Sequence, residues 1–210
     1  GDSRYAQTEF QLNTAHDFRI REWWKLTFAA DVIYDDLKSD MYEASRITAI
    51  SAIASSFRTD RFMANVALEY EGAFDLGGIS RNALSPSADL RFTAFEGFDI
   101  VAFGRRAYRI PTFNELYYVG YGNPELRPEN AWLTDVGVDF RRRISPGLSV
   151  KAKADAFLNL LTDKITSAPT EDDPAIWAPY NIGKVRSAGM DAIFGITYVS
   201  GGMETSFDAR

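Results

Sequence analysis

The feature that most constrains this chain is the recurrence of an apolar residue at every second position over long stretches. Every even position is apolar in the segments 24–34, 62–70 and 148–160, whereas the odd positions between them carry many lysines, aspartates, glutamates and asparagines. Successive side chains of a β-strand point to opposite faces, so this alternation gives each strand one apolar face and one wet face. The spacing is wrong for helices. The sequence therefore predicts an all-β protein built of long, two-sided strands.

The same rule predicts ten strands and a regular pattern of connections. The strands are expected at about 5–19, 23–36, 46–58, 61–73, 84–95, 98–109, 131–143, 148–163, 180–199 and 202–210. Long loops are expected at 37–45, 74–83, 110–130 and 164–179, and each of the other five connections is a tight turn. Because short and long connections alternate, an antiparallel up-and-down meander has all its tight turns at one end and all its long loops at the other.

Aromatic residues mark the predicted tight-turn end. They are Phe18, Trp23, Trp24, Phe57, Phe62, Phe95, Phe98, Phe140 and Tyr198. Aromatic rings gather at the level of lipid headgroups because an apolar body and a polar edge suit that interface. The alternative is ordinary packing near hairpin ends. We interpret them as a girdle.

Two kinds of barrel fit these strands. In a transmembrane β-barrel the apolar face contacts lipid, and in a soluble up-and-down barrel it turns inward around a ligand. The length of the strands and the small apolar residues Ala152, Ala154 and Ala156 favour lipid contact. We predict part of a transmembrane β-barrel.

Composition removes several classes of function. The net charge of −6 provides no basic surface for a nucleic acid, and we interpret the run Arg141–Arg143 as a strand end near a membrane or solvent face. Without cysteine, and with His16 as the single histidine, the chain has no zinc finger or thiol nucleophile. We expect no metal site or cofactor. The acidic run Glu171–Asp173 is interpreted as a solvated loop, with calcium binding as the alternative.

The segment Tyr108–Trp132 carries a specific resemblance. YRIPTFNELYY followed by GNPELRPE resembles a paired motif in the barrels of TonB-dependent outer-membrane receptors. The matching positions are Arg109, Pro111, Thr112, Phe113, Glu115, Leu116, Tyr117, Gly122, Asn123, Pro124, Leu126, Pro128 and Glu129. Leu84-Ser85-Pro86 upstream and Asn181, Gly183, Ser187, Gly189 and Asp191 downstream also resemble the family's pattern.

This resemblance implies energised uptake of a scarce nutrient across the outer membrane of a Gram-negative bacterium. Receptors of this family have barrels of about twenty-two strands, a plug domain inside the barrel and a TonB-type energy transducer that acts on the plug. We therefore expect residues 1–210 to be a partial barrel that lacks the plug, the signal peptide and the final strands. The implied partners are the transducer, an extracellular nutrient and membrane lipid. By itself, such a piece is expected either to self-associate or to curl into a smaller closed barrel.

The loop residues suggest a division of roles. Pro111, Pro124 and Pro128 end strand pairing and stiffen the loop, and Glu129 is expected to accept hydrogen bonds from Arg109 or from nearby backbone. These motif positions are expected to be mainly structural. The candidates for ligand contact, or for capping the barrel mouth, are Tyr117, Tyr118 and Tyr121.

The positions of histidine and of acidic residues narrow the class of ligand and the alternative functions. The resemblance implies that a haem receptor of this family would carry a histidine between the two halves of the motif. Residues 114–122 hold none and His16 lies near the tight-turn end, which counts against haem. An iron-siderophore, cobalamin or another organometal remains open. The alternatives are a passive porin and a soluble ligand-binding barrel. We do not expect an enzyme, since Glu69 and Glu71 share a strand face without a supporting motif and are interpreted as lumen lining.

Overall fold

One antiparallel sheet of ten strands dominates the structure, a computed structural model that describes residues 4–210. Residues 1–3, where the predicted domain begins, lie outside the described part. The sheet strands are β1 (Tyr5–Arg21), β2 (Trp24–Ser39), β3 (Glu43–Arg58), β4 (Phe62–Asp75), β5 (Ser80–Phe95), β6 (Phe98–Arg109), β7 (Glu129–Ser145), β8 (Leu148–Thr162), β11 (Lys184–Ser200) and β12 (Met203–Ala209). A helix α1 (Phe113–Tyr117) and a hairpin of β9 (Ile165–Pro169) and β10 (Trp177–Asn181) lie in the connections.

Strand order in the sheet follows the chain, as the predicted meander requires. Each strand pairs with its neighbours in sequence, and β8 pairs with β11 across the small hairpin. The register keeps the two faces apart, since Phe57 of β3 lies opposite Trp24 of β2 and Ala64 of β4. Large apolar residues of the outer face, including Ile53, Val66 and Leu68, remain exposed. The predicted fold class is confirmed.

Two loops that we expected to be long are short. Strands β2 and β3 continue to Ser39 and from Glu43, and β4 and β5 continue to Asp75 and from Ser80. The connections shrink to 40–42 and 76–79 instead of 37–45 and 74–83. Beyond an apolar medium both faces of a strand meet water, so the backbone ladder can continue where the alternation of side chains ends. The prediction, which rested on the alternation of side chains, therefore made these strands too short at the loop end.

The other two long connections contain secondary structure. Residues 110–128 include α1, and residues 163–183 include the β9–β10 hairpin, so the strand expected to begin at residue 180 begins at Lys184. No helix within residues 4–210 is long and apolar enough to span a lipid bilayer.

The tight-turn end brings the predicted aromatic residues together. The ring centroids of Trp24 and Phe57 are 5.8 Å apart, and those of Phe95 and Phe98 are 4.9 Å apart. The turn between the latter two needs Gly97, whose φ of +80° disfavours other residues. These contacts lie at one end of the outer apolar face, as a girdle requires.

The sheet is open in the part of the chain that the structure describes. There β1 pairs only with β2, and β12 pairs only with β11. The expected alternative of a smaller closed barrel is therefore wrong, because the edges of β1 and β12 do not meet. Self-association stays a prediction.

Candidate ligand-binding site at the loop end

The connection 110–128, which we call the motif loop, begins with a short capped helix. The Thr112 hydroxyl accepts a hydrogen bond from the Glu115 backbone N–H at 3.3 Å, and the Glu115 carboxylate accepts one from the Thr112 backbone N–H at 2.8 Å. This reciprocal capping box satisfies free backbone donors at a helix start. Pro111 precedes the cap and ends the pairing of β6. The proline, threonine and glutamate of the motif thus turn the chain abruptly from strand to helix.

Arg109 ties the two ends of the motif loop together. Its guanidinium donates to both carboxylate oxygens of Glu129 at 3.0 and 2.9 Å, and to those of Glu115 at 3.0 and 3.2 Å. Glu129 also accepts the backbone N–H of Ile165 at 2.7 Å. The predicted contact between Arg109 and Glu129 is present. Glu129 also accepts a backbone hydrogen bond, as predicted.

The Glu115 carboxylate is stabilised in its ionised form. Burial by itself would raise its pKa, but hydrogen bonds from Arg109 and Thr112 outweigh that effect and lower the pKa below the ordinary range. The clamp of Arg109, Glu115 and Glu129 is therefore fully charged at neutral pH. Paired, charge-assisted hydrogen bonds of this kind fix geometry as well as energy.

A second charged cluster lies under the motif loop. Asp75, at the end of β4, accepts hydrogen bonds from Arg46 of β3 at 2.5 and 3.2 Å and from Arg81 of β5 at 3.2 Å. These three residues are only 6–9% exposed. The Tyr117 hydroxyl donates to Asp75 at 2.6 Å, and burial together with this bond raises the pKa of Tyr117 to about 12. We call these four residues the buried charge cluster.

The two arginines of this cluster also hold the backbone of the motif loop. Arg46 donates to the Pro111 carbonyl oxygen at 3.2 Å, and its guanidinium lies 4.7 Å from the Phe113 ring centroid. Arg81 donates to the carbonyl oxygens of Pro124 at 2.9 Å and Leu126 at 3.2 Å. The prolines of the motif thus contribute carbonyl acceptors as well as stiffness. Strands β3 and β5 are thus joined to one loop through two side chains.

The motif loop has its own apolar core. Leu116, Leu126 and Ile165 of β9 are buried against one another, and Tyr117 packs on them. Gly122 allows this packing, because a Cβ atom there would lie 2.7 Å from the Leu116 backbone. This contact, and not a left-handed backbone, explains the glycine of the motif.

The second half of the motif joins the loop to the β9–β10 hairpin. The Asn123 amide donates to the Pro179 carbonyl at 3.1 Å. The Asn181 side chain accepts the Arg127 backbone N–H at 2.8 Å and donates to the Asp163 carbonyl at 2.7 Å. Arg127 completes the junction with an ion pair to Asp163. Residues far apart in the sequence therefore hold one compact cap at the loop end.

The remaining predicted positions contribute no side chain to this cap. Gly183 precedes β11 with a φ of +53°, and Gly189 lies directly under the Phe157 ring. Leu84-Ser85-Pro86 belongs to β5, and Ser187 and Asp191 belong to β11. These residues of β5 and β11 pair along the sheet and do not approach the loop tyrosines through any contact that the described residues show.

The three tyrosines proposed for ligand contact have different surroundings. Tyr117 belongs to the buried charge cluster. The Tyr121 hydroxyl lies 2.5 Å from that of Ser167 in β9. Tyr118 is 39% exposed, and its ring lies edge-on to both Tyr42, at 6.3 Å, and Tyr121, at 6.5 Å. Tyr118 is thus the tyrosine of the three most available to a ligand.

Tyr118 borders a cleft of about 730 Å³ between α1 and the loop ends of β1 and β2, which we call the mouth cleft. Its walls include Tyr42, Phe113 and Leu37, with Asn114, Thr112, Arg4 and Asp40 supplying polar groups. Tyr42 donates a hydrogen bond to the Asn114 side chain. Concave sites with aromatic walls and a few polar groups are typical of small-molecule binding. Tyr42 was not predicted, because one tyrosine in a short turn gives no sequence signal.

Other candidates form no comparable site. Glu69 and Glu71 line a smaller cavity of about 360 Å³ with Ser85 and Arg105, in agreement with lumen lining. His16 lies opposite Phe28 near the tight turns. No group of three or more His, Asp or Glu side chains within residues 4–210 is arranged to hold a metal ion.

Comparison with known proteins places this geometry in context. The family described as "TonB dependent receptor-like, beta-barrel" matches residues 2–208. A relative, the vitamin B12 transporter BtuB of Vibrio vulnificus, is 32% identical over 108 residues, which cover 51% of this chain and 15% of the relative.

Solved structures share the fold at low identity. The FrpB iron transporter of Neisseria meningitidis superposes with a TM-score of 0.71 at 16% identity, over 97% of this chain and 35% of that one. The siderophore receptor PirA of Pseudomonas aeruginosa superposes with a TM-score of 0.72 at 17% identity, over 98% of this chain and 41% of that one. By name these relatives are transporters and receptors, and the chain spans well under half the length of each.

Proposed function

Since the chain belongs to the family of TonB-dependent receptor β-barrels, we propose that it forms part of the barrel of a receptor for energised nutrient uptake. The rest of the receptor would supply the remaining strands, the plug domain and the contact with the TonB-type transducer. The receptor would lie in the outer membrane of a Gram-negative bacterium, with the tight turns towards the periplasm and the motif loop outside. The outer apolar face would then contact lipid.

The proposed ligand is a bulky metal complex, cobalamin first and an iron-siderophore second. Cobalamin is favoured because the relative at 32% identity is a vitamin B12 transporter. A siderophore is supported by the similarity in fold to PirA. Neither proposal involves a metal ligand from the protein, since both complexes enclose their metal. Haem is disfavoured because the motif loop contains no histidine.

The observation that carries the proposal is the exposed Tyr118 at the mouth cleft. Tyr118 lies on a loop whose backbone is held by two charged clusters, so we expect its ring to keep a fixed position beside the mouth cleft. Rigid aromatic surface of this kind binds ligands at low cost in conformational entropy. Tyr42 and Asn114 would complete the contact from the opposite wall and from the helix.

An uptake assay tests this function. The full-length gene that encodes the chain is expressed in a strain without its own receptors, and uptake of labelled cyanocobalamin and of ferric siderophores is measured with and without TonB. We expect TonB-dependent uptake of one of them. Tyr118→Ala should weaken binding about tenfold or more, as loss of a well-placed aromatic contact does.

The matched control is Tyr198→Ala, an exposed tyrosine at the tight-turn end, which should leave ligand affinity unchanged. Uptake that persists without TonB would support the passive porin. Transport of neither class of complex would contradict the proposed ligand while leaving the barrel assignment intact.

A further inference from the structure

Three consecutive arginines near the end of β7 have different surroundings because strand side chains alternate between faces. Arg141 lies on the inner face, where its guanidinium pairs with Asp139 at 2.9 Å. Arg143, on the same face, donates to the Pro146 carbonyl oxygen at 3.0 Å. Arg142 shares the outer face with Phe140, lies opposite Val150 and is exposed. No carboxylate of residues 4–210 lies within 4.0 Å of its guanidinium. Arg142 is thus a cation among apolar neighbours on the outer face.

Next to Arg142 the outer face contains a groove of about 470 Å³. Its floor is formed by Ala152 and Ala154 of β8 and Ala192 of β11, with the rings of Phe98 and Phe140 on one side and Phe194 on the other. Lys153, Ala209 and Arg210 also line it. The register puts Ala152 directly between Phe140 and Phe194. Large rings on β7 and β11 flanking small residues on β8 make a channel along the strands instead of a flat surface.

The groove runs towards Arg142. Phe140, Ala152 and Phe194 form one cross-strand row, and Arg142, Val150 and Ile196 form the next row towards the tight turns. Rows on one face of a strand are about 6.7 Å apart. Tyr198, one row further, belongs to the aromatic girdle. The groove therefore ends one row from Arg142 and two rows from Tyr198 of the predicted girdle.

We propose that this groove binds one acyl chain of an anionic phospholipid in the periplasmic leaflet, with Arg142 holding the lipid phosphate. An acyl chain fits an apolar, aromatic-walled channel along the strands, and guanidinium groups pair well with phosphate oxygens. A zwitterionic lipid would satisfy the groove but would lose net attraction to Arg142. The inference rests on the outer-membrane location of the family and does not depend on the nutrient.

Native mass spectrometry of the full-length receptor tests the proposal. The receptor is purified in a mild neutral detergent, phosphatidylglycerol or phosphatidylcholine is added, and the fraction carrying one lipid is measured. We expect preferential retention of phosphatidylglycerol. Arg142→Gln should lower its apparent affinity about fivefold, the contribution typical of one basic residue at an anionic membrane surface. Ala154→Phe should lower the retention of both lipids, because the ring fills the groove.

The control is Arg143→Gln, which removes the same charge from the opposite face and should retain phosphatidylglycerol like the wild type. Excess inorganic phosphate should not displace the lipid, because the acyl chain provides much of the affinity. Equal lipid retention by wild type, Arg142→Gln and Ala154→Phe would overturn the proposal. Equal losses in Arg142→Gln and Arg143→Gln would overturn it too, since they would indicate general charge attraction. Nutrient uptake, measured separately, distinguishes this failure from failure of the proposed function.

Discussion

The two ends of this sheet are held together by different means. At the tight-turn end, short backbone turns and aromatic contacts suffice, and an ion pair such as Lys25–Asp17 lies in the open, with side chains 45% and 60% exposed. At the loop end, Asp75 and its two arginines are buried under a loop that they hold through its carbonyl groups. Ion pairs are thus exposed and make few further contacts at the tight-turn end, whereas at the loop end they are buried and hold the motif loop.

This difference shows where individual residues matter. Many sequences can supply rings and a tight turn, but few can pair a carboxylate with two buried guanidinium groups. An exposed ion pair is worth about 1 kcal/mol or less, whereas removing one partner of a buried pair leaves an uncompensated charge. We therefore expect substitutions at the loop end to be the more damaging.

The sharpest test replaces one aspartate at each end. Asp75→Ala leaves Arg46 and Arg81 buried without a carboxylate, so we expect the motif loop to lose about 3–5 kcal/mol of stability, as broken buried pairs do. Hydrogen exchange of residues 110–128 in the full-length receptor measures the loss. Asp17→Ala, the control, should leave this protection unchanged, because the ion pair that it removes is exposed to solvent and lies at the other end of the sheet. Equal effects of the two substitutions would remove the distinction between the ends.

A smaller steric effect is expected at Gly122. The Cβ atom of Gly122→Ala would lie 2.7 Å from the Leu116 backbone, so the loop must shift at a cost of about 1–3 kcal/mol, the range for overpacking. Gly104→Ala in β6 is the control, because its nearest neighbour would be Thr134 at 3.9 Å. Proteolysis of the motif loop in both variants, compared with wild type, reports the difference. Similar cleavage rates in the two would contradict the close packing.

The clamp at the loop end should also depend on pH. The pKa of Glu115 is lowered in the folded protein, so the ionised clamp stabilises the loop above the ordinary value of 4.5. That contribution is lost as the pH falls from 4.5 through the lowered pKa. Loop protection from hydrogen exchange, corrected for intrinsic rates, should therefore be constant near neutral pH and decline below 4.5.

Glu115→Gln is the matched variant for the pH experiment. It removes the titrating group while keeping a side chain of similar shape, so its loop should be less protected at neutral pH and less sensitive to acid. An identical acid response in wild type and Glu115→Gln would show that another group controls the loop.

The smallest effect belongs to the tight-turn end. The Trp24 indole donates to the Ser55 hydroxyl at 2.9 Å and stacks on Phe57. Trp24→Phe keeps a ring for stacking and loses one hydrogen bond, worth about 1 kcal/mol. The midpoint of thermal unfolding should fall slightly, with ligand binding unchanged. A loss as large as that of Asp75→Ala would mean that aromatic contacts are as specific as the buried charges.

Periodicity predicted most of the sheet, and the motif predicted only part of the site. Arg109 and Glu129 were identified because they belong to a recognisable motif, and their contact is present. Arg46, Asp75 and Arg81 were missed. Asp75 and Arg81 fell in a segment expected to be loop, and nothing local distinguishes an aspartate that will be buried from one that will be solvated. Their burial depends on contacts with loop residues 42 to 65 positions away in the chain.

By itself, the sequence determined the strands, their order and the separation of an apolar from a wet face. A period of two is a local property, because each side chain points to the face opposite its neighbour's. Tertiary structure alone decided how far β2 to β5 extend, which tyrosine remains exposed and which charged residues are buried under the motif loop. These outcomes depend on contacts between residues distant in sequence, and on a strand register that only complete pairing fixes.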